Sequence, residues 1–189
     1  MPSMIKVSIL FSLLFFISEM ILALIKHSVR KSAARRKDRG SLIFLWATIC
    51  GGLTFGFFNA GYGRWNISDY IIASTGLLVI VAGFVIRWTA ILQLKKAFTV
   101  DVAINNAHEL KTDGLYSILR HPSYLGLLMI MIGIAVSMDS LISFVVVSLP
   151  VSIAILYRIQ VEEHLLQEAF GDMYRIYRQN TKKIIPFIY

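Results

Sequence analysis

Residues 123–157 read SYLGLLMIMIGIAVSMDSLISFVVVSLPVSIAILY, two apolar runs in which Asp139 is the only charged side chain. The runs cover 16 and 18 residues, and a helix needs about 20, with a range of roughly 17–25, to cross the hydrocarbon core of a bilayer. Two runs of this kind, broken only at one acid, predict a helical hairpin. Three more apolar runs, over 7–25, 41–60 and 70–94, extend the pattern, and the five together occupy more than half of the 189 residues. The predicted architecture is an all-α integral membrane protein with five transmembrane helices.

Composition agrees. The chain is 57% apolar and 16% charged, against about 45–50% and 25% in soluble domains. Its length suits one domain over residues 1–189 and excludes a helical bundle joined to a nucleotide-binding domain of ordinary size. Any chemistry must therefore sit in or beside the bundle. The first run is too long for the apolar part of a cleaved signal, about 7–15 residues, and counts as a helix. Cys50 is the one cysteine, which excludes an internal disulfide and a cysteine metal site and leaves it a packing residue.

A formal net charge of +8 would raise nucleic-acid binding in a soluble protein. Here the charges fall between the apolar runs, where they report topology and attraction to anionic membrane lipid, with no nucleic-acid partner. Lys26, Arg30, Lys31, Arg35, Arg36, Lys37 and Arg39 crowd the first loop, whereas the second carries only Arg64. Basic short loops stay in the cytoplasm. Counted onward, 16 of the 19 basic residues obey one arrangement, with the N-terminus outside and the C-terminus cytoplasmic. The membrane is the plasma membrane in a prokaryote and the endoplasmic reticulum in a eukaryote.

Two polar regions, 95–122 and 158–189, then share the cytoplasmic side, and a site would be built from both. Thr99 to Ile104 alternates too briefly to define a strand, while Asn105-Asn106 and Asp113-Gly114 mark turns. Leu166, Phe170, Tyr174 and Tyr177 continue one helical face past the fifth span, Gly171 ends or bends that helix, and Pro186 stops structure near the tail.

Arg120-His121-Pro122-Ser123-Tyr124 stands at the entry to the fourth helix. Proline suits a first helical turn and forces the preceding His121 toward an extended conformation, at a helix end whose free N–H groups attract anions. Capping and headgroup anchoring would use the same residues, and spacing alone does not choose. Arg158 and Glu162 lie four apart on one helical face at the inner end of the fifth span, beside Glu163 and His164. That places a cation where a lipid-borne anion would emerge, or merely a snorkelling arginine with a local ion pair worth about 0.3–0.5 kcal/mol.

Glu19 and Arg87 sit inside spans, where a charge costs about 2.5–3.5 kcal/mol, so each should face a neighbouring helix or water. Gly52 and Gly56 form a small-residue pair suited to helix packing. His27 and His164 lack the spacing of a metal site, no metal is expected, and no glycine-rich phosphate loop or dinucleotide fingerprint is present.

Taken in order, Gly114-Leu115-Tyr116, Arg120 to Gly126, Arg158, Glu162-Glu163, Phe170-Gly171, Tyr174, Tyr177 and Ile185-Pro186-Phe187 resemble the isoprenylcysteine carboxyl methyltransferase family. The resemblance covers residues 98–189. It implies a membrane methyltransferase domain using S-adenosyl-L-methionine, with a cytoplasmic cofactor pocket formed by the loop before helix 4 and the C-terminal helix. Carried over residue by residue, that pocket falls on His108, Glu109, Leu110, Lys111, Tyr116, His121, Pro122, Ser123, Tyr124 and Glu162. Arg158 matches the substrate-contacting arginine and is the candidate catalytic residue. Around Asp101 the family has a cofactor-contacting glutamine, and this sequence has none. The acceptor implied is the carboxylate of a lipid-borne or prenylated small substrate.

Three other readings remain open to the residues themselves. Related membrane methyltransferases act on phospholipid amines or small thiols, and a protonated amine would need Glu163 or His164 as a base. Membrane reductases using NADPH share the helical architecture, and a non-enzymatic scaffold would use the basic first loop to hold anionic lipid.

Overall fold

A computed structural model describes residues 2–25, 34–60, 69–94 and 110–185. Among them the chain is all-helical: α1 (Pro2–Ile25), α2 (Ala34–Asn59), α3 (Asp69–Leu94), α4 (Pro122–Ser137), α5 (Leu141–Phe170) and α6 (Asp172–Asn180), with a single 3-10 turn over Gly114–Ser117 before α4. Three helices, over Arg39–Asn59, Ser74–Leu94 and Leu141–Phe170, are long and apolar enough to cross a membrane; Ser8–Leu24 and Pro122–Ser137 are apolar but shorter. Large apolar side chains such as Leu10, Leu24, Phe58, Leu78, Leu92 and Leu149 face outward, as lipid contact requires.

The expected hairpin forms at Asp139. Its φ of 51° lies in the left-handed region, which aspartate tolerates better than most residues, and Ser140 then caps α5 by accepting the Ser143 amide at 3.2 Å. Three helices run past their predicted spans, α1 by starting at Pro2. α2 begins at Ala34, because the Ala, Arg and Lys preceding the apolar run are good helix formers, and α5 continues through Glu162 and Glu163 to Phe170. Gly171, with φ 53°, ends α5 as expected and redirects the chain into α6.

Helices α3 and α4 touch backbone to backbone. A Cβ on Gly126 would stand 2.6 Å from the Arg87 nitrogen and from the Gly83 carbonyl, and one on Gly133 would stand 2.8 Å from the Gly76 carbonyl. The glycines repeat every seven residues on both helices, so two full turns lie in close contact. Gly126→Leu is therefore expected to destabilise the fold by about 3 kcal/mol or more, the upper range for overpacking, because rigid backbone cannot yield. Thermal unfolding of the purified variant measures this, with Gly40→Ala, where no atom lies within 4 Å, as the comparison.

Packing of α2 on α5 uses the other glycine pair. Pro150 has no N–H for the Val146 carbonyl, and that carbonyl would lie 3.4 Å from a Cβ on Gly52. One turn away the Ser143 hydroxyl donates to the Gly56 carbonyl at 2.7 Å. Gly52 and Gly56 thus serve packing within one chain. Cys50, read from the sequence as a packing residue, faces outward. Phe15, Leu45, Ile49, Ile80, Ile130, Ile134, Val147 and Ile155 fill the common core.

Candidate active site

The turn before α4 is held by the tail. Residues 118–121 run parallel to 182–183: the Lys182 amide donates to the Ile118 carbonyl at 3.0 Å, and the Arg120 and His121 amides donate to the Lys182 and Lys183 carbonyls at 2.8 and 3.1 Å. His121 precedes α4, and its carbonyl accepts the Tyr124 and Leu125 amides at 3.1 and 3.2 Å, while Pro122 opens the helix. This proline needs no amide partner there.

Arg120 is the hub of the turn. Its Nε donates to Glu163 Oε1 at 2.8 Å, and its Nη1 donates to the carbonyls of Arg178 (3.1 Å) and Thr181 at the end of α6. A guanidinium satisfies these carbonyls and opposes the negative end of the helix dipole. His121 lies buried between two carboxylates, Nε2 at 3.3 Å from Glu163 Oε1 and Nδ1 at 3.9 Å from Glu162 Oε1. Tyr124 donates its hydroxyl to Glu162 Oε2 at 2.8 Å, its ring 5.8 Å from the His121 ring.

The two glutamates, adjacent in sequence, differ in exposure. Glu163 is buried, whereas the Glu162 side chain keeps 24% of its surface accessible. Both lie on the polar extension of α5, beyond the apolar span. Burial pushes the Glu163 carboxyl up, but hydrogen bonds with His121 and Arg120 and their charge outweigh it and hold the carboxyl down at about 2. Glu163 is thus a fixed anion of the framework, poorly suited to act as a base. His164 is exposed and pairs with Glu168 at 3.0 Å, which is surface chemistry.

Other predicted residues divide. Tyr116 is buried, its hydroxyl donates to the Ala90 carbonyl at 3.3 Å, and its own carbonyl accepts the Tyr177 hydroxyl at 2.7 Å; burial pushes both phenols up, so both stay neutral. Lys111 pairs with Asp113 at 2.7 Å. Leu110 lines a cavity of about 460 Å³ with Thr112, Ser117, Met173, Ile176, Tyr177, Asn180 and Thr181. That cavity contains none of His121, Tyr124 or Glu162. His108, Glu109 and Asp101 lie outside the described residues, as do His27, the alternating run 99–104 and Pro186.

Arg158 is 3% exposed, and its Nη1 donates to Ser41 Oγ on α2 at 3.0 Å. Ser123 accepts two hydrogen bonds from Arg87 Nη1, one at the carbonyl and one at Oγ, both 3.1 Å. Sequence reasoning singled out Arg120 and Glu163 without seeing their pairing, and it missed Ser41, since one serine in an apolar run carries no signal. Among the described residues no cluster of three or more metal-binding side chains occurs.

The apolar helical bundle thus gathers His121, Tyr124, Glu162 and Glu163 at the junction of α4 and α5. Residues 75–168 match the isoprenylcysteine carboxyl methyltransferase (ICMT) family. Protein-S-isoprenylcysteine O-methyltransferase B of Arabidopsis thaliana is 32% identical over 179 residues, covering 92% of this chain and 88% of the relative. Its A counterpart is 32% identical over 95% of this chain and 91% of its own length. The solved structure of the eukaryotic intramembrane Ras methyltransferase ICMT superposes with a TM-score of 0.58 at 27% identity, over 85% of this chain and 55% of that one. The chain belongs to the isoprenylcysteine carboxyl methyltransferase family.

Proposed function

We propose that this chain methylates the carboxylate of an isoprenylcysteine with S-adenosyl-L-methionine, using His121, Pro122, Ser123, Tyr124 and Glu162 to hold the cofactor and Arg158 to hold the acceptor. The observation that carries the reading is the convergence of Tyr124 (2.8 Å) and His121 (3.9 Å) on the partly exposed Glu162 carboxylate beside the first turn of α4. The donor set fits the cofactor: an accessible carboxylate suits an ammonium or ribose hydroxyls, and a helix N-terminus suits a carboxylate. When bound, S-adenosyl-L-methionine supplies an electrophilic methyl group.

The remaining work falls to the chain. An α-carboxylate, with a pKa near 3.5, is ionised at neutral pH and needs no general base. That agrees with Glu163 being committed to Arg120 and with His164 lying on the surface. Arg158 would orient the acceptor carboxylate by a forked contact, with Ser41 steadying the guanidinium. Positioning and exclusion of water would then supply the catalysis. This reading treats residues 1–189 as one domain, with five spans, the basic loops and the C-terminus in the cytoplasm, and catalysis in 98–189; His108, Glu109, Leu110, Lys111 and Tyr116 complete the cofactor end. A prenylated carboxylate reaching the site from the lipid phase is the substrate class.

Calorimetric titration with S-adenosylhomocysteine tests the cofactor end. Glu162→Ala and His121→Ala should each weaken binding tenfold or more, the loss expected for a charge-assisted hydrogen bond. Wild-type affinity in both folded variants would remove the assigned roles.

A further inference from the structure

Helix α1 supplies none of the residues assigned to the site, yet it carries a carboxylate within the bundle. Glu19 and Arg87 form a forked pair, Nε to Oε1 and Nη2 to Oε2, each 2.7 Å, with both side chains nearly buried. The third nitrogen, Nη1, is the one that donates to the Ser123 carbonyl and Oγ. Every guanidinium nitrogen is thus committed, two to α1 and one to the first turn of α4. The neighbouring Trp88 Nε1 donates to Ser18 Oγ at 3.0 Å, a second polar link between α1 and α3. The arrangement depends on the Gly83–Gly126 contact, which brings the backbone of Arg87 against α4.

We infer that Glu19 is a positioning residue: it fixes the Arg87 fork, and Arg87 fixes Ser123 in the turn that presents His121 and Tyr124. Without its carboxylate partner, Arg87 would turn toward water along its flexible stem and release Ser123. A tether between α1 and α3 alone would not need Nη1 to reach a third helix. An apolar pair of similar volume would serve a tether as well, because buried ion pairs replaced by well-packed apolar residues often fold with equal or greater stability. The inference rests on the cofactor role proposed for residues 121–124.

The test compares wild type, the double variant Glu19→Met/Arg87→Met and the single variant Arg87→Lys in detergent. Three quantities are read: melting temperature, affinity for S-adenosylhomocysteine, and hydrogen exchange of the peptide spanning 119–126 in the unliganded protein. The double variant should melt within a few degrees of wild type, bind about tenfold more weakly and exchange faster over 119–126. Arg87→Lys keeps the ion pair with Glu19 but cannot fork to both partners, so it should show the same two losses, and it carries the test should the double variant not fold. Wild-type affinity and exchange in a folded variant would overturn the inference. A wild type that fails to bind S-adenosylhomocysteine would sink the cofactor reading, while the exchange rates would still decide whether the Glu19–Arg87 pair orders the turn.

Discussion

Arg158→Ala is expected to lower kcat/KM at least about thirtyfold while leaving affinity for S-adenosylhomocysteine within about twofold of wild type. Truncating one member of a buried, hydrogen-bonded charge pair costs about 2–5 kcal/mol, and each 1.4 kcal/mol is a factor of ten. Arg158 is buried and donates to Ser41 on α2, whereas the proposed cofactor end is Glu162 with Tyr124 and His121, so the loss should fall on the acceptor and spare the cofactor. Ser41→Ala should give a smaller loss in the same direction, because it removes one hydrogen bond from the guanidinium and keeps its charge. Steady-state kinetics with an isoprenylcysteine acceptor, beside calorimetry, separates the two terms. A fall in cofactor affinity equal to the fall in turnover would place Arg158 at the wrong end of the site.

Glu163→Ala is expected to destabilise the protein by about 3–5 kcal/mol, the cost of leaving a buried charge unpaired. Arg120 would lose its carboxylate while still holding the carbonyls of Arg178 and Thr181, so the tail beside 118–121 should loosen as well. For a chain of this size the melting temperature should fall by roughly 6–20 °C. Glu168→Ala, which breaks the exposed pair with His164, should change it by at most a few degrees. The pH dependence has a definite sign. Glu163 is held at about 2 in the folded protein against an ordinary 4.5, so its stabilisation is complete above about pH 4.5 and is lost as pH falls toward 2. Glu163→Gln should lack that slope, and a variant with the wild-type slope would contradict the assignment.

The apolar helices were legible in the sequence because hydropathy is a property of consecutive residues. All five predicted runs begin or end within two residues of an end of the matching helix, α1 to α5. Which face of an apolar helix turns inward was not legible, since lipid and protein interior favour the same side chains; Cys50 shows this. The same limit explains why Glu19 and Arg87 could each be said to need a partner without being paired with each other. The different fates of Glu162 and Glu163 follow from the roughly 100° between successive helix positions, but only the observed rotation of α5 decides which one stays open to a ligand. The pairing of Leu119 with Lys182 joins backbone segments far apart in the chain, and no local pattern of side chains encodes it.

The reaction proposed for this chain is methyl transfer to a prenylated carboxylate. Its most direct test incubates the purified protein in lipid vesicles with methyl-labelled S-adenosyl-L-methionine and N-acetyl-S-farnesylcysteine, and follows label in a base-labile methyl ester. Wild type should form the ester, and Arg158→Ala and Glu162→Ala should each fall far below it. A folded wild type that binds S-adenosylhomocysteine but labels only phospholipid amines or thiols would contradict the account.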